Sequence, residues 1–339
     1  MASQYDISDP EHGLRTRVLR SIRQHPYTGL LVNIAPASVW LGVFFLVPLA
    51  VMFVYSFGER GAFGTVLLGI ENLGLQQYAA FFVPSDTGLV EAVWISVAWT
   101  VEQVVPFNLE LVQASPTPYY ELTFRSIVYG LTATVVSLVL GYPMAYFVAR
   151  AAPERYRNIL IVLVVLPYWA SYLVRVYAIK LLLAKGGIVP TAIAALPFVN
   201  GEPTLLYNAF SVQLGLVYIW VPFMVLPAYA SIEQIDFELQ EAAMDLGADR
   251  LDAFLRVTFP LSLPGVVAGS LLVFIPSVGA YVIPDLLGGP STVTIGSFIA
   301  AQFGSAGNWP LGAAASFILM AIMLVSIASY LRRAGGDFL

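Results

Sequence analysis

Residues 203–232 read PTLLYNAFSVQLGLVYIWVPFMVLPAYASI and contain no Asp, Glu, Lys or Arg. An α-helix needs only about 20 consecutive apolar residues to cross a hydrocarbon layer about 30 Å thick. A charge-free run longer than this predicts a transmembrane helix. The chain is therefore expected to cross a membrane at least once.

Other charge-free runs lie on both sides of this stretch, at 24–58, 126–149, 158–174, 257–284 and 286–331. Hydrophobic residue types make up 58% of the 339 residues and charged types 11%, and the mean hydropathy is +0.79. This composition is not that of a soluble globular protein. The sequence predicts an all-α, polytopic membrane protein with six transmembrane helices. The predicted spans are 31–57, 123–149, 158–184, 206–230, 262–287 and 308–331.

Several kinds of functional site are excluded by residue type. The chain has no Cys, and its two histidines, His12 and His25, both lie in the polar N-terminal tail. Catalytic or metal sites built on Cys or His are therefore not expected within the membrane. Neither lysine, Lys180 or Lys185, follows a glycine as a phosphate-binding loop requires. We expect this chain to bind no ATP, no other cofactor, no metal and no nucleic acid.

Basic residues set the expected orientation, because Lys and Arg are retained on the cytoplasmic side. Of the 16 basic residues, 11 fall on one side of the six predicted spans. They are Arg15, Arg17, Arg20, Arg23, Arg150, Arg155, Arg157, Arg250, Arg256, Arg332 and Arg333. Both termini are therefore predicted to be cytoplasmic.

The long segment 58–122 tests the number of spans. Residues 88–105 are apolar, but Glu91 and Glu102 interrupt them, and an additional crossing would place the basic clusters on opposite sides. We interpret 58–122 as an external insertion with an amphipathic helix at 89–104, whose apolar stripe is Val90, Trp94, Val97 and Val101. In the tail, 1–30, residues 13–24 are either an interfacial helix or a set of arginines that only fixes the topology.

The largest predicted cytoplasmic loop, 232–261, has the pattern of a helical elbow. Asp236 is placed to cap a helix over about 237–246, and Gly247 stands where a left-handed residue ends a helix. Asp249 is placed to cap a second short helix that is expected to end near Pro260. The loop also has an apolar face, which a purely solvated loop would not need. That face is Ile235, Leu239, Leu246, Leu251, Phe254 and Leu255.

The series Glu241-Ala242-Ala243, Gly247, Val257 and Phe259-Pro260 resembles the "EAA" loop of permease subunits of binding-protein-dependent ABC importers. The resemblance implies a type I importer permease fold, with the permease core at 123–333. It also implies that the loop docks on a separate ATPase subunit through Glu241, Ala242, Ala243, Asp245, Gly247 and Pro260. The implied partners are a second permease in a heterodimer, two ATPase subunits that bind ATP and Mg, an external solute-binding protein and the lipid of the inner membrane.

Further motifs are similar to those of the spermidine/putrescine permease subfamily. They are Leu166–Ser171, Leu173–Tyr177, Val282–Gly289 and Asn308–Ala314. The resemblance implies uptake of a polyamine by alternating access. An excess of acidic residues in 58–122 either favours a cationic solute or only keeps positive charge out of a translocated segment.

The expected solute path is lined by Trp169, Tyr172, Arg175, Tyr281 and Asp285. The aromatic residues provide faces for a cation or form part of the aromatic belt at the membrane interface. Arg175 would repel a cation, so we expect it to pair within the protein or to extend towards the interface.

Three other functions remain open. The chain is alternatively an importer permease for an amino acid derivative, an oxyanion or a metal complex. A carrier driven by an ion gradient is disfavoured because the predicted membrane interior lacks a relay of ionisable groups. An intramembrane enzyme is disfavoured because it would lack His, Cys and buried paired carboxylates.

Overall fold

The computed structural model describes residues 26–82, 91, 94–96, 98–99, 117–197 and 201–334. The interfacial helix predicted at 13–24 lies outside these residues, and so does most of the helix predicted at 89–104. In the described part of the latter, Ile95 and Ala98 are buried whereas Trp94 is 60% exposed. The packed face of this segment therefore passes through Ile95 and Ala98, and Trp94 of the predicted stripe lies on another face.

The described residues form helices and one short antiparallel hairpin, in which Glu59 pairs with Leu67. The strands are β1 (Glu59–Arg60) and β2 (Val66–Leu67). The helices are α1 (Pro26–Leu41), α2 (Val47–Tyr55), α3 (Gln76–Phe82), α4 (Pro118–Tyr146), α5 (Glu154–Val165), α6 (Tyr172–Leu183), α7 (Ile188–Ala194), α8 (Ala209–Glu233), α9 (Glu238–Asp245), α10 (Arg250–Ala253), α11 (Phe259–Val278), α12 (Val282–Leu287), α13 (Ile295–Phe303) and α14 (Trp309–Ala334).

Three π-helical segments lengthen or join these helices. Gly42–Leu46 joins α1 to α2, Phe147–Ala151 extends α4, and Phe254–Thr258 joins α10 to α11. As a result, several membrane spans are longer than any single α-helix in them.

Six helices in the described residues are long and apolar enough to cross a membrane, which confirms the predicted number. They are Ile34–Tyr55, Pro118–Ala151, Tyr172–Ala194, Ala209–Glu233, Arg250–Val278 and Trp309–Ala328. Four of them lie within a few residues of the predicted spans, but the third and the fifth differ.

The third span is not the continuous helix predicted at 158–184. Helix α5 ends at Val165, Leu166–Trp169 forms a 3-10 turn, and Ala170 and Ser171 are extended. Pro167 has no N–H to continue the α-helical hydrogen bonds, and it restricts the residue before it. The Tyr168 hydroxyl donates a hydrogen bond to the Ile219 carbonyl, so this break is tied to α8.

The fifth span also differs, because the helix predicted at 262–287 breaks after Val278 and resumes at Val282. Carbonyl groups at this break are satisfied by side chains of the neighbouring chain segment. Thr294 Oγ1 donates to the Ala280 carbonyl at 3.1 Å, and Ser297 Oγ to the Tyr281 carbonyl at 3.4 Å. Non-helical backbone is tolerated at membrane depth when such partners exist.

Helices α4, α8 and α11 form the centre of the bundle, where small residues let the backbones approach closely. A Cβ atom at Gly265 of α11 would lie 2.3 Å from the Pro227 carbonyl oxygen of α8. Close approach of this kind increases van der Waals contact between helices, which stabilises helix packing in a membrane, where the hydrophobic effect does not drive helices together.

The bundle has two ends. At one end, the residues after α4 and the start of α11 pack on the last turns of α8, around Ala149, Ile232 and Phe254. We call this the elbow end. At the other end, the Arg60 guanidinium donates to the Ala306 carbonyl at 2.7 Å, and the Thr117 hydroxyl donates to the Phe81 carbonyl at 2.6 Å. We call this the hairpin end.

The contact at Gly265 gives a prediction for stability. Gly265→Ala should destabilise the chain by about 1–3 kcal/mol, because the added methyl group overlaps the backbone of α8. In detergent, the Tm should fall by roughly 5 °C. Gly42→Ala is the control, since nothing lies within 4 Å of a Cβ at that position. An equal Tm for the two variants would contradict the packing described here.

Candidate functional site

The elbow predicted in 232–261 is present. Helix α9 begins after Phe237, and Asp236 Oδ1 accepts a hydrogen bond from the Glu238 amide at 3.0 Å. The helix is slightly shorter than the predicted 237–246. The N-cap position is Phe237, so the prediction of Asp236 as the N-cap is wrong by one residue, although the Asp236 carboxylate still accepts the amide of the first helical residue.

The end of α9 confirms the prediction for Gly247, whose φ is +97°. The Gly247 amide donates to the Met244 carbonyl at 2.9 Å, and the Ala248 amide donates to the Ala243 carbonyl at 3.1 Å. This pair of bonds is a Schellman motif. A side chain at position 247 would be strained by its left-handed backbone even though the space around it is open.

The second helix of the elbow is only partly as predicted. Asp249 Oδ1 accepts from the Asp252 amide at 2.6 Å, which confirms it as the N-cap of α10. The prediction that this helix ends near Pro260 is wrong, because Arg250–Val278 is continuous. The π-helical segment Phe254–Thr258 runs directly into α11, so Pro260, the second residue of α11, lies inside the continuous helix.

The elbow exposes several side chains of the apolar face noted in the sequence. Leu246 is 91% exposed, and Leu239, Leu251 and Leu255 are each at least half exposed. We call these four side chains the leucine surface. Exposed acids lie among them in the sequence, namely Glu238, Glu241, Asp245 and Asp249. Apolar side chains rimmed by charges are typical of a protein docking surface.

The remaining face of the elbow is anchored to the residues that follow α4. The Arg150 guanidinium lies 3.7 Å from the Glu241 carboxylate and 4.4 Å over the Phe237 ring. Arg157 pairs with Glu233 at 3.8 Å, and the Tyr229 hydroxyl donates to the same carboxylate. Exposed ion pairs of this kind contribute little to the free energy of unfolding. Their main effect is therefore on the orientation of the elbow.

Sequence reasoning missed the pairing of Glu241 with Arg150. The available signal was charge, because the basic cluster at 150–157 and the acidic loop were predicted on the same side of the membrane. In the described ranges, no group of three or more acidic or His side chains is arranged to hold a metal ion.

The residues predicted to line a solute path lie at the two helix breaks. Trp169 is 83% exposed at the end of the first break, and Tyr281 is 51% exposed at the second. Asp285 is also exposed, one helical turn after Tyr281. Tyr172 packs on the core shared by α6, α8 and α12, which places the two breaks on neighbouring helices.

A cavity of about 460 Å³ opens at the second break. It is lined by Tyr281 and Gly279 and by residues of α11, α13 and α14. Volumes of this size are typical of small-molecule sites.

Arg175 differs from the other four predicted path residues. It is only 8% exposed, and its guanidinium lies 4.2 Å over the Tyr168 ring. It is therefore buried and stacks on an aromatic ring within the protein.

Known proteins match the chain over most of its length. Residues 137–334 match the family described as "Binding-protein-dependent transport system inner membrane component". The spermidine/putrescine transport system permease protein PotB of Escherichia coli (strain K12) is 40% identical over 214 residues, covering 63% of this chain and 78% of that protein. The inner membrane ABC transporter permease protein YdcU of the same strain is 35% identical over 229 residues, covering 64% and 72%.

A solved structure shares the fold. It is a crystal structure of a bacterial ABC transporter involved in the import of the acidic polysaccharide alginate. One of its chains matches with a TM-score of 0.62 and 16% sequence identity, over 93% of this chain and 99% of that chain. The fold is that of a type I importer permease. The relatives that match in sequence are transport permeases. The chain is thus a multi-pass membrane protein and belongs to the family of binding-protein-dependent transport system inner membrane components.

Proposed function

We propose that this chain is a permease subunit of an ATP-driven importer for spermidine, putrescine or a related polyamine. The observation that carries the proposal is the 40% identity to PotB over 214 residues. The family match at 137–334 includes both helix breaks and the elbow. A carrier driven by an ion gradient would have no use for an exposed docking elbow.

The elbow is proposed to dock on a separate ATPase subunit that binds ATP and Mg. The leucine surface supplies apolar contact area, and Glu241 and Asp245 present carboxylates to basic groups of the partner. Ala242 and Ala243 allow close approach to the α9 backbone, while Gly247 and Pro260 fix the angles at which α9 and α11 leave the elbow.

Continuity of the fifth span suggests how the elbow acts on the solute path. The helix Arg250–Val278 runs without interruption from the elbow to the second break. A displacement of the elbow by the ATPase would therefore move the break at 279–281 directly. We infer that this helix transmits the movement of the ATPase to the solute path during alternating access.

A second permease subunit is proposed to cover the exposed apolar surface of the chain. In the span Ile34–Tyr55, none of the most hydrophobic window is buried. Trp169 and Tyr281 are likewise exposed, so a path between two permeases would be lined by them. The partner is expected to be a different chain, in a heterodimer.

The elbow end is proposed to face the cytoplasm, together with both termini, because it carries the basic residues at 150–157 and 250–256. The hairpin end then faces outward, where an external binding protein would deliver the solute. The segment 58–122 is proposed to form part of this outer surface.

In the path, Trp169 and Tyr281 are proposed to stack on the ammonium groups of the solute, and Asp285 to pair with one of them. Arg175 is not proposed to contact the ammonium groups, and its guanidinium stacks on the Tyr168 ring.

Coupling is tested by comparing two glycines with left-handed backbones. Gly247→Leu should abolish solute-stimulated ATPase activity and uptake in the reconstituted transporter, whereas Gly186→Leu should retain both. Gly186 has a φ of +75° and open space around it, at the hairpin end, so the strain is matched. Equal activities of the two variants would rule out docking through the elbow.

Exchanging the charges of Glu241 and Arg150 tests whether Glu241 acts on the ATPase or only through its ion pair with Arg150. Glu241→Lys should abolish ATPase stimulation, and the double variant Glu241→Lys with Arg150→Glu should not restore it. If the double variant recovers wild-type stimulation, Glu241 acts through Arg150 and not through the partner.

The solute path is tested by uptake of labelled spermidine. Trp169→Ala should lower kcat/KM about tenfold, as expected for loss of a desolvated cation–π contact. Trp169→Phe keeps an aromatic face at this position and should retain most of the uptake. Equal kcat/KM values for the Ala and Phe variants would rule out a cation–π contact of Trp169 with the solute.

Orientation is tested with single cysteines, since the chain has none of its own. Asp86→Cys and Ser115→Cys should react with an impermeant maleimide added outside, and Glu154→Cys should not. Opposite accessibility of positions 86 and 115 would make 88–105 an additional span.

A further inference from the structure

A second cavity lies between α6, α7 and α8, apart from the proposed solute path, and has a volume of about 290 Å³. Its walls are almost entirely apolar and include Ile179, Val189, Leu205 and Leu214. Arg175 is the charged residue in its lining. The cavity is therefore an apolar chamber with one cationic group.

The Arg175 guanidinium lacks a full set of partners. It is 8% exposed and stacks on Tyr168, yet neither its Nε nor its Nη1 has a hydrogen-bond acceptor among the described residues. Trp220 Nε1, in the same aromatic cluster through Phe223, is another buried donor without an acceptor there. Among the described residues that line the cavity, the buried groups without a partner are the two guanidinium nitrogens of Arg175, and both are donors.

Carboxylates of the surrounding elements do not neutralise Arg175. Glu202 accepts from the Gly186 amide and the Thr191 hydroxyl, and Asp285 is exposed on α12. In the described part of the chain, Arg175 forms no ion pair. A buried charge without a counter-charge is costly, and an anion would supply both the charge and the acceptors.

We propose that this cavity binds a small amphiphilic anion, a carboxylate or phosphate on a short apolar chain, with its charged group on Arg175. The apolar walls accommodate the chain, and the exposed side chains of Leu182, Phe210 and Tyr218 mark the entrance between α6 and α8. A polyamine is excluded here by the charge of Arg175. The site is thus distinct from the solute path and does not depend on which solute is imported.

Calorimetric titration of the full-length chain, purified in detergent with the subunits that stay bound to it, tests the proposal. Sodium octanoate should bind at least tenfold more tightly than acetate, which lacks the chain, and than octylamine, which has the opposite charge. Arg175→Gln should weaken octanoate binding at least tenfold. Lys180→Gln should leave it unchanged, because Lys180 lies on the same helix outside the cavity, near Tyr207.

Two more variants keep the proposal testable if Arg175→Gln does not fold. Arg175→Lys keeps the charge and should retain octanoate binding, whereas Leu182→Trp fills the cavity and should weaken binding with Arg175 intact. The proposal is overturned if octanoate does not bind, if octylamine binds equally well, or if Arg175→Gln binds octanoate like the wild type.

Mass spectrometry of an organic extract distinguishes the sources of the anion. A fatty acid or acidic lipid that co-purifies with the wild type and with Lys180→Gln, but not with Arg175→Gln, identifies the membrane as the source. Octanoate binding without a co-purifying lipid identifies a soluble organic acid.

Discussion

Backbone N–H and C=O groups inside a membrane must find partners within the protein, and the structure depends on this constraint. In a continuous helix every backbone group finds its partner within the helix, but two spans of this chain are broken. At the second break, the hydroxyl groups of Thr294 and Ser297 donate to the carbonyls of Ala280 and Tyr281. At the first break, the Tyr168 hydroxyl donates to the Ile219 carbonyl and ties the break to α8. The breaks are stable because α8 and the segment before α13 pack against them.

The two ends of the molecule are linked by the helix that the π-helical segment keeps continuous. Pro260 would interrupt a regular α-helix, yet the segment Phe254–Thr258 lets the chain pass from α10 into α11. The second half of the elbow and the residues just before the break at 279–281 therefore belong to one continuous helix. This arrangement is suited to transmit a movement of the elbow to the proposed solute path.

Much of the fold could be predicted from the sequence. Charge-free runs located the spans because charged groups are costly in hydrocarbon, and Gly247 and Asp249 were recognised because helix ends need special residues. The breaks were missed because a proline in a membrane span can kink, end or simply occupy a helix. Pro222, Pro264 and Pro276 lie inside helices here, whereas Pro167 accompanies a break. The contact of Arg150 with Glu241 and the exposure of Leu246 depend on how separate elements pack, which a local pattern does not contain.

Transport by the complete complex in proteoliposomes tests the central claim most directly. The chain, its partner permease and the ATPase subunits are reconstituted, and uptake of labelled spermidine is measured with the binding protein outside and ATP inside. Uptake that requires both ATP and the binding protein, and that unlabelled putrescine reduces, is the predicted result. Uptake that proceeds without ATP and follows an ion gradient would contradict the account.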